Sequence, residues 1–483
     1  MACQNTAIEY PNGYVSNPNY YDEMMSSEGC RESYQHVSSW LQHSPLESLL
    51  FKKQEADLRF RQQGITFTVY GEETGTERLI PFDMIPRIIS ADEWAIMSKG
   101  CEQRVQALNA FLHDIYHEQL ILKAGIIPPE QILGNEHYQA AMQGLDLPHN
   151  IYAHIAGIDL IRHSDGTYYV LEDNLRTPSG VSYMLENRKM TERLFPELLA
   201  QHKVEPVAQY PDYLKTTLLE AANKQAVNIA VLTPGRFNSA FFEHAFLARS
   251  MGVNLVGGSD LVVNDDVVYM KTISGLQKVD VIYRRLDDAF IDPLAFNPQS
   301  MLGVAGLMSA YRAGNVVLAN AVGTGVADDK SVYPFVPDMI RFYLNQDPIL
   351  QNVPTFQCRK PDELSYVLAN LSELVVKETQ GSGGYGMLIG PAATQAEIEE
   401  FRAKLTAHPA AYIAQPTLAL STCPTFVAAG IAPRHIDLRP FVLSGKTTRL
   451  VAGGLTRVAL KSGSLVVNSS QGGGTKDTWV LAE

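Results

Sequence analysis

The chain has 483 residues, 46% hydrophobic and 19% charged, with a formal charge of -13. That length holds two or three domains with ample cores, and the composition is that of an ordinary globular protein. The acidic balance argues against non-specific nucleic-acid binding, and no apolar run approaches the ~20 residues of a membrane span. The N-terminus, MACQNTAIEYPNGY, lacks the basic-then-apolar pattern of a signal peptide, so a cytoplasmic location is expected. Five scattered cysteines without a CxxC read as reduced thiols.

Residues 1–45 are polar and tyrosine-rich and read as an irregular arm that wraps the body. Ser44-Pro45 predicts a helix start, and Gly64 ends that segment. ITFTVYG predicts a strand, and PFDMIPRIIS an extended, proline-punctuated loop. Ala91–Gln119 carries helical spacing through Trp94, Met97, Val105, Leu108, Phe111, Leu112 and Ile115, with Ser90 or Asp92 as cap.

The most informative stretch follows. Ile155–Ser164 and Thr167–Asn174 predict a β-hairpin, and Asp165-Gly166 predicts a two-residue type I′ turn between them. In the register that turn sets, Asp159 faces Glu172, and Asn174 shares the face of Glu172. Directly opposed carboxylates destabilise a sheet, and a hard divalent cation such as Mg²⁺ would relieve them. A solvated hairpin, or one paired with Arg176, is the alternative.

Thr191–Ala222 is expected to be helical. NIAVLTP, AFFEHAFLARSMG and VNLVGG then form a β-turn-α-β pattern, a Rossmann-like unit. Its turn, Gly235–Ser239, sets Arg236 and backbone amides at a helix N-terminus, where an anion or an ordinary cap fits equally. Arg284, Arg285 and Asp287 follow at a strand end. NVVLANAVGTGVADDK leads to Lys330.

In the last third, LVVKE is a strand ending at Lys377, and MLIGP is a strand after a glycine loop. Gly381-x-Gly383-x-x-Gly386 matches a dinucleotide fingerprint, but a strand follows it where that fingerprint needs a helix. A β-loop-β glycine flap, able to lay backbone amides over phosphates, is the better reading, and a nicotinamide oxidoreductase is disfavoured. Thr394 and Glu397 predict a capping box. Asp437 and Arg439 share a strand face, for which a surface pair is the plain reading. Arg457, Asn468 and Gly472–Gly474 suggest another phosphate-facing element. P-loop, nucleophile-elbow, HExxH and kinase signatures are absent, and His154, His163 and His435 read as structural.

Together these residues resemble the ATP-grasp superfamily with its motifs permuted. Asp159 with Glu172-x-Asn174 resembles the metal signature. Lys330 and Lys377 resemble the two nucleotide lysines, Gly381–Gly386 the flap, and Tyr412–Pro416, with Gln415, the strand to the adenine hinge. Asp437-x-Arg439 and Arg457…Asn468 resemble the segments that precede the metal hairpin in glutathione-synthetase-like members. Here that hairpin sits upstream, as in the circularly permuted ATP-grasp type 2 family of bacteria.

The resemblance implies a mixed α+β and α/β fold, a permuted ATP-grasp beside a Rossmann-like pre-ATP-grasp unit. The expected segments are 1–90 (arm, helix and strand), 91–200 (metal hairpin), 201–320 (Rossmann-like) and 321–483 (nucleotide-binding subdomains). It implies an ATP-dependent carboxylate–amine ligase using ATP and Mg²⁺ on a peptide or amino-acid-like substrate. Asp159, Glu172 and Asn174 would hold metal. Lys330, Lys377, Gly381, Gly383, Gly384, Gln415 and Asn468 would hold the nucleotide. Arg439 and Arg457 would be catalytic, and Arg176, Arg236, Arg284 and Arg285 would meet the substrate carboxylate. The alternative is a nucleotide-binding scaffold acting with a partner, for which the family suggests a helical alpha-E protein.

Overall fold

The computed structural model describes residues 13–69, 76–222, 227–381, 386–428, 430–468 and 472–483. Its architecture is mixed α and β, and three sheets position the site.

The ten-stranded sheet joins distant parts of the chain. Hairpin strands Ile155–Arg162 and Tyr168–Asn174 lie beside Gly430–Arg439, then Leu455–Val458, Gly474–Val480 and Phe82–Ile89. It thus draws strands from three of the four expected segments. The hairpin also pairs with Phe441–Ser444. An early hairpin completing a sheet begun by the last strands is the arrangement that the permuted motif order requires.

Two local expectations are corrected here. PFDMIPRIIS is not a loop, because Phe82–Ile89 is a buried strand. Proline lacks an N–H and is tolerated in sheets at edges and bulges. Lys476 faces Asp83 and Thr478 faces Arg87, so Met84, Ile85 and Pro86 leave the ladder at an irregularity in an edge strand. The N-terminal arm is also more ordered than expected. It contains a helix, Gln35–His43, and buries Tyr14, Met24 and Tyr34. Glu23 pins it to the sheet, accepting from Arg87 Nη2 at 2.8 Å, Ser421 Oγ at 2.9 Å and Arg162 Nη1 at 3.1 Å.

The second sheet is parallel, in the order Val317–Ala319, Val281–Arg284, Ile229–Leu232, Asn254–Val256. Helix Phe241–Met251 crosses between the last two and closes at left-handed Gly252. This is the Rossmann-like unit. Asn320, just past its edge strand, fastens it to the hairpin. Its amide oxygen accepts from Ile155 N at 2.8 Å, and its amide nitrogen donates to Ile155 O at 2.7 Å and Leu175 O at 2.6 Å.

The third sheet is antiparallel, in the order Phe356–Gln357, Tyr412–Pro416, Leu374–Glu378, Met387–Ile389. Helices Pro361–Ala369 and Gln395–Ala407 accompany it around its own small core, including Val367, Val376 and Leu405. The expected Thr394/Glu397 capping box starts the second helix.

Candidate functional site

The hairpin pairs Asp159 with Glu172, as the expected register has it, but by a different route. The turn has three residues, because His163 N donates to Thr167 O and Arg162 faces Tyr168. Gly166 takes φ +87°, the conformation glycine adopts without strain. A bulge at Leu171 then restores the register. The extra turn residue and the bulge offset each other. Leu171 and Glu172 both line one cleft, whereas Asp173 is buried on Arg104 at 2.6 and 2.7 Å.

That cleft lies between the ten-stranded sheet and the antiparallel four-stranded one. Asp159, Glu172, Asp437 and Arg457 come from the large sheet, and Lys377, Gln415, Met387 and Ile389 from the small one. Lys330, Gly381 and Asn468 reach it from connecting segments. Val353, Leu418, Leu420 and Val466 add apolar lining.

Asp159 is fully buried and holds two guanidinium groups. Arg439 Nε and Nη2 donate to it at 2.5 and 2.7 Å, and Arg457 Nη2 at 2.7 Å. Burial alone would push its carboxyl up; the two arginines overcome this and hold it well below the usual carboxylate range. Arg457 also bonds Asp437, its cross-strand partner. Asp437 is therefore no surface residue. It is fully buried, and burial raises its carboxyl despite Arg457.

Lys377 Nζ donates to Gln415 Oε1 at 2.8 Å, and Gln415 Nε2 donates to Thr355 Oγ1 at 3.0 Å. Burial lowers the Lys377 ammonium to about 8, with Glu172 opposing and Lys330 reinforcing the shift. Lys330 Nζ donates to Gly381 O at 2.6 Å and lies 3.4 Å from Glu172. Two lysines and two arginines thus surround an acidic pair at the junction of two sheets.

Residues 86–459 match the family described as circularly permuted ATP-grasp type 2. The chain belongs to that family. It is 49% identical to an uncharacterized protein of Synechocystis sp., covering 96% of this chain and 97% of that one. An uncharacterized protein of Mycobacterium tuberculosis is also 49% identical, covering 96% of this chain and 84% of that one. A Frankia alni protein provisionally named glutamate--cysteine ligase 2-3 is 42% identical over 96% of this chain, which spans 54% of the Frankia protein. A solved glutathione synthetase-like effector from Globodera pallida shares the fold, with TM-score 0.59 and 11% identity over 91% of this chain and 98% of that one.

Within this permuted ATP-grasp chain, the structure brings together Asp159, Glu172, Lys330, Lys377, Gly381, Gln415, Arg457 and Asn468. Arg439 joins them through Asp159 and stands 3.9 Å from Glu172. Gly383 and Gly384 lie outside the described residues. The four arginines expected to meet the substrate do not converge. Arg284 is 1% exposed and donates to the carbonyls of Asn320, Leu286 and Ala321. Arg285 is equally enclosed, on Pro178 O and Glu243. Arg176 pairs with Asp328 at 2.5 Å. Arg236 is exposed on its turn, where Asn238 Oδ1 already takes the Ala240 amide. Strand-end arginines in a sequence do not reveal whether backbone carbonyls will claim them.

Asp159, expected as a metal ligand, accepts three hydrogen bonds from Arg439 and Arg457 in this structure and so anchors these two guanidinium groups. Glu172 lines the cleft, whereas Asn174 is not among its lining residues and its Nδ2 donates to Gly157 O at 3.3 Å, which leaves its amide oxygen as acceptor. Among the described residues no three His, Cys, Asp or Glu side chains form a metal cage. The Glu172 carboxylate, with the Asn174 amide oxygen two residues on in the same strand, is a donor set that would suit Mg²⁺, which takes one or two protein oxygens and completes its shell with phosphates and water. The apolar lining is the part of the site that the motifs did not show, and Asp437, present in its motif, had no role assigned from the sequence. The strict pairing of Asp437 with Arg457 needs the strand register.

Proposed function

We propose that this chain is an ATP-dependent ligase that activates a carboxylate as an acyl phosphate and joins it to an amine. The observation that carries this reading is the convergence of Lys330, Lys377, Arg439 and Arg457 around Asp159 and Glu172 in one partly apolar cleft. Such a site suits phosphoryl transfer, whose catalysis is mostly positioning and charge stabilisation.

Lys330 and Lys377 would bind the nucleotide phosphates, and the apolar lining would take the base. Glu172 and the Asn174 amide oxygen would hold Mg²⁺, which when bound neutralises phosphate charge. An oxygen of the substrate carboxylate attacks the γ-phosphorus and ADP leaves. Arg439 and Arg457, held rigid by Asp159 and Asp437, stabilise the transferred group. The amine nitrogen then attacks the acyl carbon, phosphate departs, and the amine loses a proton. The Frankia relative's name, a ligase of glutamate and cysteine, supports a peptide or amino-acid-like substrate, although this chain spans only half of that protein.

Hydroxylamine tests the reading, because it intercepts acyl phosphates as hydroxamates. Incubation with Mg²⁺, ATP and a panel of amino acids and peptides should release ADP and form hydroxamate with at least one acid. Tight ATP binding with neither product, across the panel and with a helical partner added, would favour the scaffold reading instead.

A further inference from the structure

The loop after the metal hairpin, residues 177–182, is held from the Rossmann-like unit by two buried side chains that the proposed reaction does not use. Glu243 Oε2 accepts from Gly180 N at 2.8 Å, Ser182 N at 3.0 Å and Ser182 Oγ at 3.0 Å. Arg285 Nη1 donates to Pro178 O at 2.8 Å, and Nη2 to Ser179 Oγ at 2.5 Å. The two clamp residues bond each other at 3.2 Å and are 0% and 2% exposed. The loop is tightly enclosed. Gly180 sits at φ +121°, and a Cβ there would come within 2.7 Å of Leu455 Cδ2.

The other side of this loop touches the nucleotide cleft. Ser179 O accepts from Arg439 Nη1 at 3.2 Å. The Arg439 stem runs past Gly157, where an added Cβ would lie 3.1 Å from Arg439 Cδ and 3.2 Å from Pro178 Cβ. Arg439 is therefore fixed at two points. Asp159 holds one edge of its guanidinium, and the loop holds the other.

We infer that Glu243 and Arg285 are positioning residues of the nucleotide cleft, acting through residues 178–182 on the orientation of Arg439. The inference rests on the proposed ATP reading. It gives the Rossmann-like unit a task in the reaction, and it gives Arg285 an indirect role where direct substrate contact was expected. A buried ion pair that bonds three backbone groups and two hydroxyls of one loop defines that loop's path more than it adds stability. Arg439 faces Glu172, on the side where the terminal phosphate would lie. Its misplacement should weaken ATP more than ADP.

Calorimetry with Mg-ATP and Mg-ADP tests this on the full-length protein, comparing wild type with Glu243→Gln, Arg285→Lys and the milder Ser179→Ala. Wild type should prefer ATP over ADP. The clamp variants should lose about tenfold of that preference while keeping ADP affinity, the scale of one charge-assisted hydrogen bond. Ser179→Ala, which removes only the hydroxyl, should move the ratio the same way by less. Combined with Arg439→Ala, the clamp substitutions should cause no further loss, as expected for groups acting through one residue. Unchanged ATP/ADP ratios in folded variants, parallel loss of both nucleotides, or losses additive with Arg439→Ala would overturn the inference. If Glu243→Gln fails to fold, Ser179→Ala decides by the same ratio. Absence of ATP binding in wild type would instead strike the functional reading.

Discussion

At the scale of single residues, charge placement sets the chemistry. Lys377 is buried and its ammonium is lowered to about 8. A polyphosphate binds the protonated form, so affinity should be level below that value and fall as pH rises through it. The decline should approach tenfold per unit until it reaches the higher value that a bound phosphate imposes. Calorimetry between pH 6.5 and 9.5 checks this, and Lys377→Arg should flatten the profile. Asp159 acts in the opposite sense. Its carboxyl is held low by Arg439 and Arg457, so its stabilisation is complete above about pH 4 and lost as pH falls below that. Asp159→Asn leaves two enclosed guanidinium groups without their shared anion. It should lower stability by about 3–5 kcal/mol, read by denaturant unfolding. The motif residues were legible in the sequence because spacing shows which side chains share a strand face. Their partners were not. Asp437 looked like half of a surface pair until strand pairing set it opposite Arg457. Arg284 and Arg285 looked available until backbone carbonyls were found around them.

At the scale of elements, two ion pairs couple the hairpin to the long helix Ala91–Tyr116, Arg162 with Glu93 and the more buried Arg104 with Asp173. Arg104 on the helix takes both oxygens of Asp173, next in sequence to Glu172. Each side chain is 1% exposed. Arg104→Ala should cost about 3–5 kcal/mol and loosen the cleft as well, because it strands a buried carboxylate beside Glu172. Thermal unfolding and Mg-ATP calorimetry should both register the change. Ser90→Ala, which removes the capping-box hydroxyl at the start of the same helix, should cost about 1 kcal/mol and leave nucleotide affinity unchanged. Periodicity and caps foretold this helix well, since both signals are local. The Phe82–Ile89 strand was missed because Pro86 argues locally against a strand, and only the irregular pairing with Gly474–Val480 accommodates it. The hairpin turn was predicted one residue too short, and the bulge at Leu171 offset the difference. Bulges leave no signature in alternation that short.

At the scale of the whole molecule, the permuted order makes the last strand of the sequence an inner strand of the large sheet. The Gly474–Val480 strand lies between Phe82–Ile89 and Leu455–Val458, and Trp479 and Lys476 are fully buried within it. Deleting residues 474–483 should abolish cooperative unfolding rather than trim a tail. The permutation itself was readable from motif order. The Rossmann-like unit was readable from its β-turn-α-β pattern. Its attachment through Asn320 and the Glu243–Arg285 clamp was not, because contacts over more than 60 residues leave no local trace. Binding of Mg-ATP to the assembled cleft is the central claim, and calorimetry of the wild-type protein in Mg²⁺ and in EDTA, beside Glu172→Ala, tests it most directly. The account predicts binding that requires Mg²⁺ and weakens at least about tenfold in the folded variant, the scale of a lost metal ligand. Equal ATP affinity in EDTA and in Glu172→Ala, or no binding in either buffer, would contradict it.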